Sequence, residues 1–168
     1  MLHHTPILSI LTDTEQSVAD FNSSILLPHI PLMNIERSKL LILALHEIWN
    51  TGKVKKIPKV YSPLCLVHWP QSWGPESRGH EGILESILRT RDVFPDWHEE
   101  ILDMIVTEEK VVTRYLSSGT HQGEYLGFGG TGRKISFEEI SIYRIEDNLV
   151  AEQWCLGDDM HCISQLKQ

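Results

Sequence analysis

The chain has 168 residues, 41% hydrophobic and 23% charged, which is the size of one ordinary domain and excludes a disordered tail, a collagen-like repeat and a disulfide-stapled miniprotein. Against 15 Lys and Arg stand 23 Asp and Glu, a formal net charge of -8 whose mean field repels nucleic-acid phosphates and anionic lipid headgroups. The longest apolar runs, Leu40–Leu45 and Leu64–Val67, fall far short of the roughly 20 residues that cross a bilayer.

Pro6–Leu11 has no Lys or Arg before it, unlike a secretory signal, so the expectation is a cytoplasmic protein with neither nucleic acid nor membrane as partner. Cys65, Cys155 and Cys162 are odd in number and match no zinc-ribbon or redox spacing, so they read as reduced, mostly packed thiols.

Residues 1–33 carry Pro6, Pro28 and Pro31 and read as an N-terminal extension, with room for one short amphipathic helix over Thr14–Leu27. The domain proper is expected over 34–168. From Ile35, the positions Leu40, Leu41, Leu43, Ala44, Ile48 and Trp49 form a wide apolar stripe that stops at Thr51-Gly52, the pattern of a helix. Pro58 limits Val54–Tyr61 to a turn or two, and Leu64–Trp69 between two prolines reads as a buried strand. A second helix is expected over His80–Thr90, where Ile83, Ile87 and Leu88 share one side.

After Asp96 the apolar period changes from 3.6 to 2. Trp97–Thr107, Lys110–His121, Ile135–Glu146 and Leu149–Leu156 are four strand candidates, joined by Glu108-Glu109, a Gly-rich loop and an Asp147-Asn148 turn. Short connections make neighbours antiparallel. Helices first and a meander last imply an α+β domain with helices on one face of a curled sheet. Met160, Ile163 and Leu166 close the chain as a short helix or strand end.

Several short pieces occur in a telling order: Gly79-His80-Glu81-Gly82, Phe94-Pro95-Asp96, Gly119-Thr120-His121 with Gly123-Glu124, Thr131-Gly132-Arg133, and Glu152, Trp154 and Asp158 followed by Gln165-Leu166. Together they resemble the SnoaL-like polyketide cyclase family of the nuclear transport factor 2-like superfamily. That resemblance implies a cone-shaped, curved antiparallel sheet wrapped around N-terminal helices, a deep pocket at its wide end, no metal or organic cofactor, and homodimers paired through the outer sheet face. It also implies ring closure by intramolecular aldol chemistry with an acidic side chain as acid and base. Two positions depart from the family pattern. Gly130 stands where relatives usually have Pro before Thr-Gly-Arg, which implies a looser loop, and Cys155 stands where many have Asp directly after the tryptophan.

Aldol closure needs a proton removed beside a carbonyl and a proton delivered to an alkoxide, and one carboxyl with a raised pKa can do both. Asp158, at the end of the last strand, is the catalytic candidate; its alternative is a turn that caps the final segment. A buried Asp158 in a closed apolar cavity would favour an enzyme, and a solvent-facing one a binding module. Asp103 shares a strand face with Ile101 and Ile105 and points either into the hollow or to the surface. Glu139 and Tyr143 share parity with Phe137 and Ser141, again toward either the pocket or the outside.

His121 and His68 are candidates for polarising a carbonyl or acting as a base, or are packing residues. Arg114, in mid-strand, calls for an acid or a ligand oxygen. Trp69, Trp73, Trp97 and Trp154 adjoin strand ends, where flat rings line a slot for a polycyclic ligand, or are core; Trp154 is expected on the pocket wall and Trp49 in the core. Gly127–Gly132 matches G-x-G-x-x-G, but a strand follows where a dinucleotide site needs a helix. The segment reads as a flap with Arg133 anchoring it or meeting substrate. Asp158, Asp159, His161 and Cys162 lack metal-ligand spacing, so no metal is expected.

The leading expectation is a cofactor-independent enzyme acting on a hydrophobic, carbonyl-bearing small molecule, by ring closure, isomerisation, dehydration or hydrolysis, with Asp158 and His121 catalytic and Trp154, Arg114, His68, Trp69, Asp103, Glu139, Tyr143 and Arg133 contacting substrate. The alternative is a non-catalytic small-molecule-binding or dimerisation module on the same scaffold.

Overall fold

The computed structural model describes residues 32–167; the extension and the Thr14–Leu27 helix expected before them lie outside the described residues. Helix α1, Leu32–Thr51, starts ahead of the expected Ile35. It buries Ser38, Ile42, Leu45, His46, Ile48 and Trp49, while Leu40 and Leu43 from the apolar stripe stay exposed. Gly52, at φ 65°, ends it with its N–H on the Ile48 carbonyl, a left-handed stop that glycine adopts without strain. A 3-10 turn over Val54–Lys59, limited by Pro58, leads to β1, Tyr61–His68. A short β2, Ser77–Arg78, precedes α2, Gly79–Val93, which buries Ile83, Ser86, Ile87, Thr90 and Val93.

The period-2 region forms β3, His98–Val106, β4, Lys110–Thr120, β5, Lys134–Glu146, and β6, Leu149–Gly157. Asp147 and Asn148 both take positive φ, 51° and 61°, as the tightest right-twisting hairpin turns require. The six strands form one sheet in the order β2-β1-β6-β5-β4-β3. All neighbours are antiparallel except β1 and β6, which run parallel; this pairing joins β1 and β2 to the edge of the meander in one open sheet and was not expected from the meander. The tail is a helix, α3, Asp159–Lys167.

Alternation assigns the two sheet faces. Val111, Thr113, Tyr115 and Ser117 of β4 and Ile135, Phe137, Glu139, Ser141 and Tyr143 of β5 are buried on the inner face. One core joins Ile42, Leu45 and Ile48 of α1 to Ile83 and Ile87 of α2 and to Val67, Val111 and Tyr143. A second lies around Phe94, Trp97, Phe137, Cys162 and Leu166. All three cysteines are free and buried. No described helix is long and apolar enough to cross a membrane.

Irregularities in pairing matter as much as the alternation. In β3 the register slips between Ile101 and Asp103, where two residues face one on β4. Such a bulge reverses the parity of everything after it. Glu99 lies inward before the slip, whereas Asp103 and Ile105 lie outward after it.

Candidate active site

The inner face of the sheet and the two long helices leave a cavity among Leu45, Trp49, Trp69, Trp97, Tyr115 and Glu139, with Trp73 and Arg89 at its edge. Its open space, mouth included, is about 440 Å³, yet a water-sized sphere can move its centre through only about 30 Å³ of it, room for one or two waters. Four tryptophans and two tyrosines contribute rings to its walls, and two carboxyl groups face inward.

Glu139 is 6% exposed and sits in mid-β5. Ser117 Oγ donates to its Oε1 at 2.5 Å, and Cys155 Sγ donates to its Oε2 at 3.2 Å. No Lys, Arg or His among the described residues forms an ion pair with it. Burial, with the negative charge of Glu99 adding to it against the opposing Ser117 hydrogen bond, pushes its pKa up to about 8. Glu139 is therefore mainly protonated at neutral pH.

Glu99, 8% exposed, is held differently. Trp97 Nε1 donates to its Oε1 at 3.0 Å, and His46 Nδ1 lies 2.6 Å from its Oε2. Donation from Nδ1 leaves His46 Nε2 to accept from the Tyr143 hydroxyl, 3.2 Å away. A second polar string runs from Gln153 Nε2 to Ser141 Oγ at 3.3 Å and on to the Tyr115 hydroxyl at 3.0 Å. Burial raises the pKa of Tyr115 and Tyr143 above the usual phenol range, so both remain neutral hydroxyls able to donate.

Of the residues named from sequence, the structure brings Trp69, Glu139 and Tyr143 to this cavity, together with Trp73 and Trp97; Trp49, expected in the core, also lines it. The others lie elsewhere. Asp158 is exposed and its Oδ1 accepts from the His161 N–H at 2.9 Å, so it caps α3, because a helix start needs an acceptor for its free N–H groups. His121 is fully buried, with Nδ1 taken up by Thr131 at 3.1 Å and its ring beside Phe94; it pins the loop and does not line the cavity. Burial lowers its pKa.

The β3 bulge sends Asp103 to the outer face, and plain alternation along β4 places Arg114 there too, where Arg114 Nη2 meets Asp103 at 2.5 Å and Nη1 meets Glu138 at 2.8 Å. Trp154 is displaced by plain alternation, since Gln153 and Cys155 take the inward positions of β6. Its indole stacks outside on His68 at 5.5 Å, and His68 is itself engaged by Glu76 and Glu152. Arg133 donates to the Leu166 carbonyl at 2.7 Å and anchors the loop to α3. Gly130 is tight, not loose, because a Cβ there would lie 2.0 Å from the Gln122 carbonyl oxygen.

Sequence reading missed Glu99, His46, Tyr115 and Gln153. The signal for Glu99 was its parity with Trp97, and for His46 its place one helical turn after Ile42. Cys155, noted as a departure, occupies an inward position beside the Glu139 carboxyl. Among the described residues no three His, Cys, Asp or Glu side chains converge as metal ligands would.

Comparison with known proteins gives a consistent result. The family model for SnoaL-like polyketide cyclase matches residues 39–166. Aklanonic acid methyl ester cyclase DnrD of Streptomyces peucetius is 28% identical over 115 residues, which span 67% of this chain and 78% of that protein. IdmH of Streptomyces antibioticus, described as a putative polyketide cyclase, superposes with a TM-score of 0.70 at 27% identity, over 78% of this chain and 99% of its own. TsrD of Streptomyces laurentii also has a TM-score of 0.70 at 27% identity, over 78% and 95% of the two chains.

Two measurements check this site. Replacing the cap in Asp158→Ala costs about 1 kcal/mol of stability and leaves ligand binding in the cavity unchanged by titration. For Glu139 the folded state keeps a proton that the unfolded chain releases near 4.5, the ordinary value for a glutamate, so the carboxyl's stabilising effect is full at low pH and is lost as pH rises toward about 8. Glu139→Gln, which cannot ionise, is expected to gain in Tm over the parent as pH rises through that window; a Tm difference that is flat with pH contradicts the buried, protonated carboxyl.

Proposed function

As the chain belongs to the SnoaL-like polyketide cyclase family, we propose that it is a cofactor-independent acid/base enzyme that closes a ring in a hydrophobic, carbonyl-bearing small molecule by intramolecular aldol chemistry, with Glu139 as the proton-exchanging group. The observation that carries this reading is the Glu139 carboxyl, buried in an aromatic cavity with its pKa pushed up to about 8. A carboxyl near the working pH exchanges protons in both directions with little driving force against it.

In this reading the ionised fraction of Glu139 takes the proton next to one carbonyl, and the enolate carbon attacks the second carbonyl to form the new carbon–carbon bond. The alkoxide that results takes the same proton back from Glu139, so atoms and charge balance. The Tyr115 hydroxyl, neutral and fixed by Ser141, is placed to donate to the oxygen on which charge develops, while the Tyr143 hydroxyl stays committed to His46. Glu99, clamped by His46 and Trp97, adds its charge to the burial that keeps Glu139 mainly protonated. Trp49, Trp69 and Trp97 supply flat apolar walls. Because the free space is narrow, a ring system enters only as the Trp73 side chain at the edge gives way.

The names of the relatives support a cyclase-type role, and aklanonic acid methyl ester is the compound that the DnrD name supplies for a first assay. The outer sheet face exposes Leu102, Ile105, Ile140, Ile142 and Leu156, and the same reading takes it as the contact between two copies of the chain. A non-catalytic binding module is the second reading, favoured by the solvent-facing Asp158 and the narrow cavity.

Kinetics separate the two readings. Glu139→Gln is expected to lower kcat/KM by at least about 100-fold while the variant still folds. In the parent, kcat/KM is expected to climb with pH along a limb of unit slope that levels off near pH 8, the value to which the Glu139 carboxyl is raised. Turnover that survives in Glu139→Gln, or ligand binding with no turnover in the parent, supports the binding module instead.

A further inference from the structure

Next to the cavity lies a second cleft, formed by Ser72, Gly74, Phe94, Glu124 and Tyr125 and enclosing about 500 Å³ of open space with its mouth. The two hollows share three residues, Trp73, Arg89 and Thr90. Trp73 is thus a partition and Arg89 a doorpost. Among the described residues, three polar groups on these walls are buried without a hydrogen-bond partner: the donors Trp73 Nε1 and the hydroxyl of Tyr125, a residue 8% exposed, and the acceptor Gln153 Oε1. Unpaired buried donors of this kind cost free energy unless something else satisfies them.

Arg89, exposed at the rim that the two clefts share, differs from the other arginines in its partners. Arg114 and Arg144 pair with carboxylates, and Arg91 and Arg133 serve main-chain carbonyls with two or more nitrogens or at a helix end. Arg89 uses Nη2 on the Trp73 carbonyl at 2.8 Å and has no Asp or Glu oxygen within ion-pair reach among the described residues. Gly74, at φ 106°, makes its seat: a Cβ there would come 3.3 Å from Arg89 Nη1. The guanidinium lies at the junction, where among the described residues only its Nη2 has a hydrogen-bond partner, in a chain that carries an excess of acids.

We propose that Arg89 is the receptor for a carboxylate on the ligand, which spans the two clefts with its carbonyl-bearing rings in the first and its acid at the junction. This rests on the reading of the first cavity as a ligand site and adds to it the charge of the ligand. A planar guanidinium offers two parallel N–H donors to a carboxylate. Glu139, mainly protonated at neutral pH, does not repel such an anion, and Glu99 is already engaged by His46 and Trp97. Glu124 on the far wall of the second cleft disfavours an anion placed deeper there, so the acid is confined to the Arg89 end. Trp73 Nε1 and the Tyr125 hydroxyl then have ligand oxygens to meet.

The test uses fluorenone carboxylate and its methyl ester as probes, with binding to the full chain read by quenching of the cavity tryptophans. The parent is expected to bind the carboxylate at least about tenfold more tightly than the ester, a difference of roughly 1.4 kcal/mol. Arg89→Gln brings the carboxylate down to the level of the ester and leaves the ester unchanged, while Arg89→Lys keeps most of the preference. Glu139→Gln keeps the full preference even where turnover is lost, so a failure of the catalytic reading does not imitate a failure of this one. Equal affinity for both probes in the parent, no binding of either, Arg89→Gln weakening both alike, or Arg89→Lys falling as far as Arg89→Gln overturns the assignment.

Discussion

An ionised carboxyl taken out of water without a cation beside it is costly, and the group responds by holding its proton. Glu139 is in that position, and the rest of the cavity is arranged around it. Two weak donors, Ser117 and Cys155, orient its oxygens without offsetting the burial. Glu99, clamped on the same cavity, adds charge repulsion in the same direction. The outcome is a neutral acid poised near physiological pH between aromatic walls.

The sheet makes this possible through strict alternation over β4 and β5, whose register runs unbroken from Lys110↔Arg144 to Thr120↔Lys134. Each inward position therefore lies beside an inward neighbour, which places Ser117, Glu139 and Cys155 together from three adjacent strands. Outward positions form a separate chemistry of their own, with Arg114 bridging Asp103 and Glu138 and with Trp154 stacked on His68. These exposed pairs contribute little stability one by one. Their effect is to keep charge on the outer face and the interior dry.

Much of the architecture was readable from residues alone, because helix periodicity over Ile35–Thr51 and alternation after Asp96 are long and consistent signals. The parity of Glu139 and Tyr143 was readable too, though not which side of the sheet was inner. Asp103 stayed open between hollow and surface for a definite reason: a one-residue bulge leaves no trace in hydrophobic pattern, yet it turns the strand over and puts the residue outside. Trp154 failed because a large aromatic was taken as inward, while the smaller Gln153 and Cys155 hold those places. Asp158 resolved to the capping alternative, which local sequence already offered. Glu99 and His46 come from elements 53 positions apart, and no local pattern announces such a meeting.

The central claim is the proton on Glu139. Following the side-chain carboxyl carbon of Glu139 by carbon-13 NMR, with Glu139→Gln as the assignment control, measures it directly. The account predicts a titration midpoint near 8. A midpoint at the ordinary carboxylate value of about 4 would contradict it.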